Sequence, residues 1–99
     1  MINKPDVAGI TEDKILIFTT SACPHCKTVK DYISQNDLSQ KLSIVILDAN
    51  KPAYSKLLSQ KASDCQLDPA TIGVPFYFYQ NQCLLGDQPI IDQLDKMIQ

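Results

Sequence analysis

The run Lys14-Ile-Leu-Ile-Phe-Thr-Thr20-Ser-Ala-Cys23-Pro24-His25-Cys26 decides how this chain folds. Its first half is β-branched and aromatic. The apolar residues there are continuous rather than alternating, as in a central strand covered on both faces. Ser21, Ala22 and Cys23 then make a turn, and Pro24 opens a helical pattern that lasts to about Gln35. Proline suits a first helical turn, where its missing N–H has no intrahelical partner to lose. On that helix Cys26, Val29, Tyr32 and Ile33 share one face by three- and four-residue spacing.

Outward from this run the pattern continues. Asn36 and Asp37 are stop signals, and Leu42 to Leu47 reads as a second buried strand. Strand, helix and strand in that order predict a crossover between parallel strands. Pro52 opens a second helix to about Ala62, with Ala53, Tyr54, Leu57, Leu58 and Ala62 on its inner face. A polar connection covers 63–73. Phe76 to Tyr79 is a strand, 80–82 a tight turn and Cys83 to Leu85 a return strand, together a hairpin. Gly86 ends that strand, and Asp87 is expected to N-cap a last helix with Pro89 in its first turn. Ile90, Ile91, Leu94, Met97 and Ile98 give that helix one apolar stripe.

The predicted fold class is therefore α/β, in the order β-α-β-α-β-β-α, with helices on both faces of a four-stranded mixed sheet. Residues 1–13 form a polar N-terminal arm and 14–99 a single domain, in keeping with a chain of 99 residues.

Composition excludes several function classes. The formal charge is −2 and there is no basic run, so nucleic acid finds no electrostatic footprint. The longest apolar runs, Ile15 to Phe18 and Ile44 to Leu47, fall far short of the roughly 20 residues that span a bilayer. The N-terminus lacks the apolar core of a secretory signal. A cytoplasmic monomer is expected.

Four cysteines stand at 23, 26, 65 and 83. An even count fits a disulfide framework in a secreted protein, and catalysis or metal in a cytosolic one. With 44% hydrophobic residues the chain can fold without staples, so catalysis leads. Cys23 falls where strand meets helix. Free backbone N–H groups and the positive end of the helix dipole favour a thiolate there. A cysteine of ordinary pKa near 8.5 is only about 3% thiolate at neutral pH, whereas one lowered to about 5 is almost fully ionised. His25 adds a charge when protonated or a hydrogen bond when neutral. Cys26, one turn further in on the core-facing stripe, suits a resolving thiol. The pair also fits half of a zinc site completed by His25, Cys65 or Cys83. A proline-opened helix straight after a buried strand is unlike the knuckle of such sites, so no metal is expected.

The strand followed by Cys23-Pro24-His25-Cys26 opening a helix, then Val74-Pro75 starting a later strand, then Gly86-Asp87 opening the last helix, resembles the glutaredoxins of the thioredoxin-fold superfamily over residues 14–98. The resemblance implies a thiol–disulfide oxidoreductase that reduces protein or glutathione mixed disulfides, with Cys23 as nucleophile, Cys26 as resolving thiol, and Pro24 and His25 completing the motif. It implies no bound cofactor, with glutathione as co-substrate and disulfide-bearing proteins as partners. It further implies a cis bond before Pro75, Val74 backbone groups offered to an extended substrate, and a glutathione carboxylate at the helix N-terminus by Gly86 and Asp87. A plain trans proline and a plain N-cap are the ordinary alternatives.

The sequence departs from the family in three ways. Many members carry a lysine just before the first cysteine; here stand Thr20, Ser21 and Ala22, and Lys27 or Lys30 is the available substitute. His25 replaces a common aromatic, a pattern shared with strongly oxidising periplasmic disulfide-forming enzymes, whose large helical insertion has no room here. The 63–73 connection is long and holds Cys65; the connection is expected to pack beside the active site and narrow substrate choice, or Cys65 to serve as a redox-sensing thiol. Cys83 reads as a small buried hydrophobe. Two rival functions remain open: a thioredoxin-like reductant served by a flavin reductase, and a non-enzymatic carrier of glutathione and a [2Fe–2S] cluster.

Overall fold

Ile15–Thr19 (β1) is buried at all five positions, because it lies inside the sheet with helices over both faces. A computed structural model describes residues 13–99; the polar arm read at 1–13 lies outside the described residues except for Asp13. After β1 the order is Pro24–Gln35 (α1), Leu38–Lys41 (α2), Ile44–Asp48 (β2), Pro52–Asp64 (α3), Phe76–Tyr79 (β3), Gln82–Leu85 (β4) and Asp87–Met97 (α4). The four strands form one mixed sheet in the order β2-β1-β3-β4. β1 and β2 are parallel, with Ile15 opposite Ile44, while β1 with β3 and β3 with β4 are antiparallel.

The continuous apolar run of β1 feeds two cores, one on each face. Ile15 and Ile17 pack with Val29 and Ile33 of α1, Leu38 of α2, Tyr77 of β3, and Ile90 and Leu94 of α4. Leu16 and Phe18 point the other way, to Leu47, Phe76, Phe78, and Leu57 and Ala62 of α3. Alternation along the pleat thus gives α1 and α4 one face and α3 the other. The apolar stripes expected on α1, α3 and α4 are the faces that pack, with Ala53 of α3, like Tyr54 and Leu58, half-buried. No helix among the described residues is long and apolar enough to cross a membrane.

Two expectations fail. Asp37, at φ 53°, leads into α2, a single turn that the sequence did not announce, since four residues are too few to show a helical period. Leu42 closes that turn, its N–H donating to Leu38 O at 2.7 Å, so the second strand starts later than expected. It is also not a buried strand. β2 lies at the sheet edge, with only Leu47 buried and Ile46 40% exposed. Ile44 and Val45 are each packed against a different core, which explains an apolar run in a strand that is open along one side.

The hairpin turn is two residues, Gln80 and Asn81, at φ 49° and 64°. Positive φ at both positions matches the twist of the flanking strands. β4 consequently begins at Gln82, a residue before the expected start.

Candidate active site

The site begins with the cap of α1. Cys23 is extended (φ −124°, ψ 108°), and its Sγ accepts the Cys26 N–H at 3.0 Å. The Cys23 carbonyl takes the Lys27 N–H at 3.1 Å, the first intrahelical bond. A cysteine here does the work of a serine or aspartate N-cap. The same N–H stabilises negative charge on Cys23 once the residue is reduced. Cys23 and Cys26 stand at disulfide distance, with their Cα atoms 5.1 Å apart. Cys26 is completely buried on the α1 stripe, and Cys23 is half-buried at the surface. Pro24 occupies the first turn and is exposed.

Across from this cap lies the start of β3. The Val74–Pro75 bond is cis, as the resemblance implies. The Val74 carbonyl oxygen is 3.7 Å from Cys23 Sγ. A disulfide sulfur has no hydrogen to donate, so this contact becomes a hydrogen bond only when Cys23 is a thiol. The carbonyl therefore favours the protonated form and the Cys26 N–H the ionised one, so the two act in opposition on one sulfur. Pro75 is fully buried, and its carbonyl accepts the Gly86 N–H at 3.1 Å. That bond joins the start of β3 to the start of α4.

Gly86, rather than Asp87, is the N-cap of α4. Its backbone sits at φ 90°, ψ 161°, a region open to glycine and strained for other residues. Asp87 becomes the first helical residue, and its Oδ1 accepts the Gln88 N–H at 2.7 Å. Its other oxygen, Oδ2, lies 2.9 Å from His25 Nδ1. The His25 imidazole beside it holds the Asp87 carboxyl below the usual range; partial desolvation opposes this and the Gln88 N–H adds to it. His25, expected to act on Cys23, is thus tethered between the first turns of α1 and α4, with 72% of its side chain exposed.

Two of the residues expected to meet glutathione, Lys27 and Asp87, have partners of their own. Lys27 Nζ is 2.7 Å from Asp31 Oδ2 on its own helix. Asp87 answers His25 and places a carboxylate where an incoming carboxylate was expected.

Cys65 and Cys83 correct the sequence reading. They form a second disulfide, Cα atoms 6.3 Å apart, between the C-cap of α3 and β4. Cys83 is therefore not a lone buried hydrophobe, and Cys65 is not a free sensing thiol beside Cys23. The chain, read as able to fold without staples, carries one. The even cysteine count was the signal available, but a pairing across 18 residues leaves no local pattern to find.

No protein-family model matches this chain, and the search of curated proteins returns no match.

What the arrangement can do chemically follows from its parts. It holds a half-exposed sulfur at a helix N-terminus, a buried sulfur within bonding reach, and a backbone carbonyl facing the first sulfur. That combination supports exchange of the reduced pair with an external disulfide, or of the internal disulfide with an external thiol.

Proposed function

We propose that this chain is a glutaredoxin-like thiol–disulfide oxidoreductase on a thioredoxin-like fold, acting through Cys23 and Cys26. The observation that carries the reading is the Cys23 cap. Its Sγ accepts the Cys26 N–H, stands at disulfide distance from the buried Cys26, and faces the carbonyl of the cis Val74–Pro75 pair.

In the reductive direction the Cys23 thiolate attacks one sulfur of a substrate disulfide. That S–S bond breaks, the departing sulfur takes a proton, and the rest of the substrate is held on Cys23. Cys26 loses its proton and attacks Cys23 Sγ. The mixed disulfide breaks, the second substrate sulfur leaves as a thiol, and the Cys23–Cys26 disulfide remains. Two electrons have passed to the substrate. Two thiols of the glutathione class reset the pair by the reverse steps and are themselves joined as a disulfide. Val74 and Pro75 orient the extended substrate at Cys23.

The test is disulfide reduction by single-cysteine variants. Cys23→Ser removes the attacking sulfur and abolishes turnover, while Cys26→Ser keeps some one-thiol deglutathionylation. Full activity in Cys23→Ser ends the assignment.

One observation favours a second reading, a thioredoxin-like reductant with poor use of glutathione. Lys27 pairs with Asp31, and the Asp87 carboxylate stands at the start of α4, where it repels the carboxylate of a charged tripeptide. Turnover with glutathione and glutathione reductase, compared with thioredoxin reductase, separates the two. The cytoplasmic monomer belongs to this proposal, and the second disulfide bears on the compartment, because structural disulfides persist in oxidising settings. Labelling of free thiols at Cys65 and Cys83 in protein taken from a reducing cytosol decides it.

A further inference from the structure

Cys65 and Cys83 take no part in the chemistry proposed above, yet they set a second pair of sulfurs on the α3 face of the sheet. Both residues are half-buried. We infer that this disulfide is a second redox site, opened by dithiols and left closed by monothiols of the glutathione class, whose state governs how firmly the 66–74 connection is held. Its effect on exchange at Cys23 rests on the reading above; its choice of reductant does not.

Three observations carry it. The first is electrostatic. Cys23 caps the start of α1 and receives a backbone N–H, whereas Cys65 is the C-cap of α3, at the negative end of a helix. Asp64 precedes it, and Cys65 Sγ lies 3.5 Å from the Asn81 carbonyl oxygen. Cys83 Sγ lies 3.5 Å from the carbonyl oxygen of Lys61, whose ammonium sits over the Phe78 ring, 4.7 Å from the centroid. Whichever sulfur is attacked, the other leaves as a thiolate facing a carbonyl oxygen. Thiolates so placed leave slowly.

The second is placement, since each cysteine is held without the bond. The Cys65 N–H donates to the Lys61 and Ala62 carbonyls, and Cys83 stands opposite Phe78 in the β3–β4 ladder. A monothiol that breaks the bond is left in mixed disulfide with one sulfur. The displaced cysteine stays within reach, attacks that mixed disulfide and expels the monothiol. A dithiol escapes this reversal. Its thiolate breaks the Cys65–Cys83 bond, and the displaced sulfur takes a proton. Its second thiol then attacks the mixed disulfide, gives its proton to the other cysteine and departs as a cyclic disulfide. Two electrons have passed to the chain.

The third is continuity. Cys65, Cys83, Leu67, Ile72 and Val74 pack against one core that includes Phe76 and Phe78. The bond joins the end of α3 to β4, and the connection runs from there to Val74, whose carbonyl oxygen is 3.7 Å from Cys23 Sγ. Opening the bond lets the last turn of α3 part from β4, and the packing of the connection loosens with it. A substrate extended along Val74 must then order that segment again, which slows its reduction.

The test starts from the full chain with both disulfides closed. It is treated with reduced glutathione or with dithiothreitol at equal thiol concentration, quenched by alkylation at intervals and mapped by mass. Glutathione should open Cys23–Cys26 and leave Cys65–Cys83 closed for at least about tenfold longer. Dithiothreitol should open both, the second bond later. Freed of reductant, the fully reduced product should then reduce a cystine-bridged peptide several-fold more slowly than the glutathione product. A small aromatic disulfide, which does not extend along Val74, should not be slowed. The Cys65→Ala, Cys83→Ala variant should match the slower product whichever reductant precedes the assay. Equal opening of the two bonds by glutathione overturns the second site. Equal peptide reduction by the two products, or equal slowing on the small disulfide, overturns its hold on the connection. Failure of both products to reduce either disulfide ends the exchange reading, and the alkylation pattern then decides the second site by itself.

Discussion

His25 and Asp87, 62 positions apart in the chain, meet at 2.9 Å and tie the first turn of α1 to the first turn of α4. The tether has a pH signature. With His25 the main cause, the folded Asp87 carboxyl titrates below its unfolded value near 4. A carboxyl depressed in the folded state contributes stability above its unfolded pKa and loses it as pH falls through the folded one. Asp87→Asn should therefore be less stable than the parent at neutral pH. The gap should close in the acid range below the unfolded carboxyl value. Denaturant melts of both proteins across that range check it, and a gap independent of pH would assign the difference to packing.

The same geometry bears on the redox balance. His25 stands two residues after Cys23 in the first turn of α1, and a positive charge there stabilises the thiolate, hence the reduced protein, and makes the disulfide the stronger oxidant. His25→Tyr should shift the potential to a more negative value. Because the imidazole is largely exposed and answered by Asp87, screening limits the effect to about tenfold in the exchange equilibrium, or about 30 mV. A glutathione redox titration of both proteins measures it.

How much of this was legible from the sequence depends on the range of the interaction. β1, α1 and β3 were read correctly because each is announced by neighbours: an unbroken apolar run, a proline-opened stripe, an aromatic strand before a turn. The face shared by Cys26, Val29 and Ile33 followed from helical spacing alone. What failed was set by partners distant in sequence. The edge position of β2 depends on which strands pair with it, the His25–Asp87 contact on how α4 meets α1, and the Cys65–Cys83 bond on α3 crossing to β4. The displaced cap of α4 has a local cause. Asp87 is a good N-cap residue, but Gly86 alone tolerates φ 90°, so the helix begins one residue earlier than the side-chain preference implies.

That backbone position yields a third prediction. Gly86→Ala forces a side chain into a conformation reserved for glycine, although the nearest atom a Cβ would meet, Pro89 Cδ, is a comfortable 3.9 Å away. The cost is therefore backbone strain and not collision, about 1–3 kcal/mol. Because the Gly86 N–H holds the Pro75 carbonyl, relaxation of that strain should also move the Val74–Pro75 segment beside Cys23. Both a lower melting midpoint and slower reduction of a disulfide substrate are expected. A variant that loses stability with unchanged exchange kinetics would show that the cap and the substrate strand are uncoupled.

The Cys65–Cys83 bond supports the last prediction. It closes a loop of 18 residues that contains the 66–74 connection, all of β3 and the hairpin turn. In the chain-entropy view, a cross-link of that span restricts the unfolded ensemble by about 3 kcal/mol. The double variant Cys65→Ala, Cys83→Ala should unfold more easily by roughly that amount. Its stability should respond to reductant only through Cys23 and Cys26, whereas the parent should show a second redox step in which reduction of Cys65–Cys83 lowers stability. The α3 C-cap is held independently, since the Cys65 N–H donates to Lys61 and Ala62 carbonyls and the Leu67 N–H to Ala62 O at 2.9 Å. The sheet and α3 should therefore stay folded in the variant, and the 66–74 segment should gain local openings on top of the global loss. Amide hydrogen exchange under native conditions reads this directly. Acceleration in that segment beyond that of the sheet would mark the bond as a local anchor of the connection, and uniform acceleration would make it a global staple alone.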